Sequence, residues 1–371
     1  MAEDSPATKP RVTELRKTGQ GRGLDEGRET GRSIPHGGDL DGARVAFPCA
    51  PEPWIDLSTG INPWSYPLPP VSQDAWNRLP GRGEELALRR AAAACYGAPS
   101  ADLVAAASGS QALIQLLPRL RAPGRVAVLG PTYAEHARCW ALSGHDVRLA
   151  AEVDAAADVL VVVNPNNPDG RLLPAELLLT LAESQAARDG WLVVDEAFAD
   201  MRPEDSVAAH AGRPGLVILR SFGKFFGLAG LRLGIALAPA GLAVALREAI
   251  GPWAVSGPGL SIATAALGDD GWIGAMRRRL AVAAADLDRL LAGAGLRVCG
   301  GTDLFRLVED ARAPALHQAL GEAGILVRRF EQRPDWLRFG LPGTDEAWRR
   351  LAIALEHPGA WRMQPDKRSA S

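Results

Sequence analysis

One lysine stands where chemistry could use it. In residues 219–235, LRSFGKFFGLAGLRLGI, Lys224 lies three residues after the hydroxyl of Ser221 and eight before Arg232, in a run otherwise apolar and glycine-rich. Phe222, Phe225, Phe226 and Leu228 around it would strip water from the ammonium, disfavouring the charged form and freeing a nucleophilic amine of the kind Schiff-base chemistry needs. Taken alone, the segment is more simply an amphipathic stretch whose lysine reaches back to water.

The elements that must hold such a group are legible around it. Apolar runs at 126–130, 145–149, 159–163, 191–194, 216–219 and 233–237 alternate with helical patterns, among them 84–96 and 175–188. This predicts an α/β fold with a mostly parallel central sheet, whose ligands sit at the carboxyl ends of the strands. Polar groups cluster at those ends. Asn164-Pro165-Asn166-Asn167-Pro168-Asp169-Gly170 follows one strand, Asp195-Glu196-Ala197-Phe198 another and Pro131-Thr132-Tyr133 a third. Carboxylates abutting a wholly apolar strand are costly unless paired, so one of Asp195 and Glu196 is expected to meet a cation. Ser108-Gly109-Ser110 turns a short apolar run into a helix whose free N–H groups suit an anion, although small residues there can equally be a plain cap.

Beyond a helical connector at 261–292, runs at 296–299, 304–308, 325–328 and 336–339 predict a small α+β lobe. In it Arg328 and Arg338 end apolar strands and could grip an anion bidentately, with exposed structural arginines as the alternative. The whole divides as 1–33, a disordered extension; 34–70, a proline-rich strap reaching the small lobe and the site; 71–260, a large domain; 261–295, a connecting helix; and 296–371, the small domain.

Composition narrows the partners. The 371 residues carry a formal net charge of -2, without a basic stripe, which gives nucleic acid no electrostatic footprint and favours small molecules. Cys49, Cys95, Cys139 and Cys299 are scattered without a CxxC pair, which argues against zinc and against a secreted disulfide scaffold, and predicts a reducing, cytoplasmic setting. No run approaches the ~20 apolar residues of a membrane helix, and the N-terminus lacks a signal's apolar core.

Together, a lysine nucleophile, a carboxylate after a strand, a phosphate cradle, a tyrosine and an asparagine suit pyridoxal phosphate: an amine for its aldehyde, a carboxylate for its ring nitrogen, N–H groups, hydroxyls and an arginine for its phosphate. In the order of these motifs the chain resembles the fold-type I, class I and II aminotransferase family from about His36 to the C-terminal helix. That resemblance implies Lys224 as the lysine bonded to the cofactor, and Ser221, Arg232, Gly109, Ser110 and Gln111 on its phosphate. It further implies Asp195 at the pyridinium nitrogen, Asn167 at the phenolic oxygen, Tyr133 stacked on the ring, and Arg338 on the substrate carboxylate. Phe198 stands where many members carry tyrosine, and Asp169 where the usual motif has threonine.

Within that family, HGGDL, DLSTGINP and LRSFGKFFGLAGLRLG resemble the threonine-phosphate decarboxylases of cobalamin biosynthesis, relatives of histidinol-phosphate aminotransferase. The resemblance implies decarboxylation of a small phosphorylated amino acid, a homodimer, and His36 near the substrate phosphate. Asn62 is the candidate to replace a polar contact where some members have asparagine and this chain has Gly60. An aminotransferase of the histidinol-phosphate type and a catalytically silent relative of the fold are the alternatives; the latter is expected to have lost Lys224 or Asp195, and both are present.

Overall fold

The computed structural model describes residues 36–154, 156–356 and 361; the extension expected at 1–33 lies outside them. The strands in chain order are β1 (Ile55–Leu57), β2 (Val104–Ala107), β3 (Arg125–Leu129), β4 (Asp146–Ala150), β5 (Val159–Val163), β6 (Trp191–Asp195), β7 (Leu216–Ser221), β8 (Gly234–Leu237), β9 (Val298–Thr302), β10 (Phe305–Glu309), β11 (Ile325–Phe330) and β12 (Arg333–Gly340).

Seven of them form the central sheet in the order β2-β8-β7-β6-β5-β3-β4. β8 runs antiparallel to β2 and β7, and the other neighbours are parallel. Parallel strands need helical crossovers, and helices on both faces bury every residue of a central strand. That explains why β5 reads VLVVV with all five residues buried. Leu160 and Val162 enter one core, Val159 and Val161 the other.

Register lines up the strand ends that matter. Ala107 pairs with Gly234 and Gly234 with Ser221, in one row across β2, β8 and β7. Val163, Asp195 and Leu219 form a second row across β5, β6 and β7.

The second sheet has the order β1-β11-β12-β10-β9. β1 comes from the strap and pairs in parallel with β11, Ile55 with Ile325 and Leu57 with Val327. The sequence shows the strap only as extended, because a strand of three residues leaves no alternation to detect. The strap also carries a short helix, Leu40–Ala46, capped by the Asp39 carboxylate on the Gly42 N–H; it precedes the first proline of the dense run. In place of one connecting helix there are two, Gly257–Leu267 and Asp270–Gly293, because Asp269 caps the second through the Trp272 N–H. No helix among the described residues is long and apolar enough to cross a membrane.

Candidate active site

Lys224 sits on a one-turn helix, Phe222–Phe225, directly after β7. Its neighbours Phe222, Phe225 and Phe226 are 1% exposed. Phe222 and Phe226 stack with ring centroids 4.4 Å apart. This packing fixes the short helix and leaves the lysine side chain half-buried. Burial first, then the Arg338 guanidinium, pushes the Lys224 ammonium down to about 8; Asp195 acts in the opposite sense and Arg232 adds to the depression. An amine so placed carries both protonation states near neutral pH, the condition for moving protons.

Asp195 closes β6, 4% exposed. Its Oδ2 lies 2.8 Å from Nε2 of buried His136, and its Oδ1 accepts from the Ala197 N–H at 3.0 Å. The cation expected beside this carboxylate pair falls on the other member: Arg220 Nη1 donates to Glu196 at 2.7 Å. No local sequence signal marks His136. It lies three residues past Tyr133 on the helix Ala134–Leu142, and nothing in the sequence couples it to Asp195.

Tyr133 begins that helix and donates its hydroxyl to Gln111 Oε1 at 3.2 Å. Burial, then Glu135 and Asp195, pushes its phenol up to about 12, so it stays protonated. Gln111 Nε2 donates to Glu135 at 2.9 Å, and His36 Nε2 faces the same carboxylate at 3.3 Å. The strap thereby meets the site at His36, whose ring lies 6.0 Å from Tyr133.

The row β2, β8, β7 builds a close-walled corner. Gly109 takes φ +92° and is followed by the helix Ser110–Leu116. A Cβ at Gly109 would lie 2.6 Å from Arg232 Nη2, and one at Gly234 only 2.1 Å from the Ser110 nitrogen. Only glycine allows the guanidinium and the strand to approach those backbone amides so closely. Ser221, 9% exposed, lies in the same row. Arg232 is exposed, with Nη1 donating to the Ala229 carbonyl at 2.9 Å.

Arg338 on β12 is 6% exposed. It donates from Nη1 to Asn167 Oδ1 and from Nη2 to the Ser58 carbonyl at 2.8 Å, while Nε has no hydrogen-bond partner among the described residues. Burial first, then neighbouring Arg328, pushes it down to about 9, with Asp56 opposing.

The family model for aminotransferase class I and II matches residues 70–355. The threonine-phosphate decarboxylase of Pseudomonas aeruginosa is 49% identical over 330 residues, 87% of this chain and 97% of the relative. A Sinorhizobium protein of the same name is 48% identical over 330 residues, with the same shares of each chain. The chain belongs to the class I and II aminotransferase family. Its fold agrees: a histidinol-phosphate aminotransferase from Sinorhizobium meliloti, solved in complex with pyridoxal-5'-phosphate, superposes with a TM-score of 0.73 at 23% identity, covering 89% of this chain and 96% of that one.

Pyridoxal phosphate fits the residues present in this family member on two observations. Glycines at 109 and 234 leave the corner at the Ser110 amide open beside Arg232 and Ser221, and Lys224 presents a desolvated amine at the end of the adjacent strand.

Two residues singled out from sequence are placed differently from the rest. Asn62 spends its side chain inside the protein: Nδ2 donates to the Phe225 carbonyl at 2.8 Å, and Oδ1 accepts from the Trp64 N–H at 2.9 Å. With its own N–H on the Lys224 carbonyl at 3.0 Å, it ties the strap to the lysine helix. Arg328 pairs with Arg338 across β11 and β12, its guanidinium 5.5 Å over Phe330. Ser58 was also missed. Its hydroxyl donates to Asp56 at 2.6 Å and accepts from the Gly38 N–H at 2.7 Å, which aims its carbonyl at Arg338.

Proposed function

We propose that this chain decarboxylates L-threonine O-3-phosphate to (R)-1-amino-2-propanol O-2-phosphate, the aminopropanol arm of cobalamin biosynthesis. The observation that carries the reading is the near-half identity, over almost the full length of each relative, to two proteins named threonine-phosphate decarboxylase. The site supports it with a matched set of groups.

When bound, pyridoxal phosphate supplies a ring that takes up the electron pair released as a bond to the substrate's α-carbon breaks. Lys224 would hold the cofactor through its amine until the substrate amine takes that place. Asp195, fixed by His136 and the Ala197 N–H, keeps a proton on the ring nitrogen. Asn167 would meet the phenolic oxygen, Tyr133 would lie against the ring, and the Gly109, Ser110 and Gln111 turn with Ser221 and Arg232 would take the phosphate.

Arg338 binds the substrate carboxylate through charge-assisted hydrogen bonds, with Arg328 beside it in register. The side chain is anchored by Asn167 and Ser58, so a substrate carboxylate on it would be held in one orientation, and such orientation is what favours one bond over another for cleavage. Arg338 would hold the carboxylate that leaves as CO2, and Lys224, as its ammonium, would supply the proton that the α-carbon takes in its place. His36 on the strap receives the substrate phosphate. A homodimer and a cytoplasmic setting belong to the same proposal, supported by family membership and by four free cysteines.

Incubating the loaded enzyme with threonine phosphate and measuring CO2 against keto acid tests the reading. Stoichiometric CO2 with the amino alcohol phosphate is expected; keto acid without CO2 overturns it in favour of transamination.

A further inference from the structure

Lys224 and Arg338 each rest on one ring of an aromatic pair. Lys224 Nζ lies 5.6 Å over the ring of Phe198, and Arg338 Cζ lies 4.9 Å over the ring of Phe305. The two rings meet edge to face, centroids 5.1 Å apart at 84°. Each cation thus rests on the negative face of one ring, a favourable arrangement in a desolvated setting. Phe198 is 3% exposed and Phe305 is fully buried, so neither ring has open space to swing into.

Gly60 is what makes room for the pair. A Cβ there would lie 2.9 Å from Phe198 Cε1, 3.2 Å from Phe198 Cζ and 3.0 Å from Phe305 Cδ1. Ordinary contacts start several tenths of an ångström further out, so any side chain at this position must wedge both rings at once. Gly60 is two residues past Ser58, whose carbonyl takes Arg338 Nη2, and two before Asn62, whose N–H meets the Lys224 carbonyl. The same short strap segment therefore fastens the backbone of both cations' surroundings and leaves the gap their rings occupy.

We propose that Gly60 is a positioning residue: by admitting the Phe198–Phe305 pair it fixes the lysine amine relative to the arginine that takes the substrate carboxylate. This rests on the reading above that Lys224 bonds the cofactor. The charged groups acting on Lys224 are Arg338, Asp195 and Arg232, and of these Arg338 is the one that rests on a ring of the pair.

The test is Gly60→Ala in the cofactor-loaded protein, shown folded by near-UV circular dichroism. The pH midpoint of the lysine-dependent cofactor absorbance is read alongside kcat, KM and the ratio of amine to keto product. The expected result is a midpoint moved down, because the displaced ring face no longer favours a positive nitrogen, with kcat lowered about ten- to hundredfold by misplacement and KM changed far less. A wild-type midpoint with wild-type kcat and product ratio overturns the proposal. Phe305→Leu adds no volume and serves where Gly60→Ala does not fold; it is expected to move the midpoint in the same direction, and an unmoved midpoint overturns the role of the pair. Lys224→Ala separates the two levels. Absorbance that survives it refutes the assignment of the lysine, whereas absorbance lost with Lys224 and indifferent to Gly60→Ala refutes only the inference drawn here.

Discussion

Two arginines are buried in this chain to nearly the same depth, Arg220 at 3% exposure and Arg338 at 6%, and their surroundings are opposites. Arg220, on β7, donates to Glu196 at 2.7 Å and to Asp200 at 2.8 Å and lies 4.3 Å over the Tyr96 ring. Burial acts to lower its pKa, but Asp200 and Glu196 outweigh it and hold the guanidinium above its ordinary value. Arg338 has no carboxylate at ion-pairing distance among the described residues. It donates to two neutral oxygens and is pushed down to about 9. A buried cation lacking a counter-ion is expensive, so a chain that keeps one gains from it only when an anion arrives. The first arginine closes a charge set and holds strand ends together; the second leaves a charge set open at the site.

The largest expected effect breaks the closed set. Arg220→Met strands Glu196 and Asp200 and should cost about 3–5 kcal/mol of stability, read as a lower denaturant midpoint with an unchanged m-value. A stability equal to wild type would show that the two carboxylates find other partners and that the contrast is false. Next comes the open set. If Arg338 binds the substrate carboxylate as proposed, Arg338→Met removes two charge-assisted hydrogen bonds, about 3 kcal/mol and hence on the order of a hundredfold in kcat/KM. The unfolding midpoint of the cofactor-free protein should not fall, since the lost residue had no counter-ion. A large stability loss would make Arg338 a structural residue like Arg220.

The smallest effect sharpens the same point through Lys224. Its folded value of about 8 lies below the ~10.4 of an unfolded lysine. Between those values the unfolded chain holds a proton that the folded chain has released, so stability rises with pH across that window, and the full penalty is present below it. Cofactor-free wild type should therefore gain on Lys224→Met between pH 8 and pH 10. A constant difference between the two proteins over that range would rule out the depressed amine.

What was readable in the sequence is what strand ends make readable. Lys224, Asp195, Asn167 and Tyr133 each follow an apolar run, and an apolar run that stops at a polar residue marks a sheet's carboxyl edge. Partnerships across the chain carry no such local signal. His136 and Asp195 come from different strand-helix units, and the Ser58 carbonyl reaches Arg338 from the far end of the sequence. Gly60 reads as a lost side chain, and only the placement of Phe198 and Phe305 shows that the space is filled. Asn62, the candidate for the polar contact absent at Gly60, donates its amide to the Phe225 carbonyl and accepts from the Trp64 N–H, partners that no local pattern announces. Boundaries slipped by a residue or two where periodicity fades: β3 starts at Arg125 and β4 at Asp146, one position from the runs that announce them.

The parallel pairing of β1 with β11 sets a schedule for the whole enzyme. Ile55 leaves the ribosome long before Ile325, its partner, so the strap must wait, uncommitted, while the central sheet and its lysine are already being made. Non-local pairings of this kind form late. The Ser58 carbonyl, just past β1, cannot anchor Arg338 until β12 has followed β11. A nascent chain therefore completes the surroundings of Lys224 before those of Arg338, and the site proposed above is whole only when the two ends of the polypeptide meet.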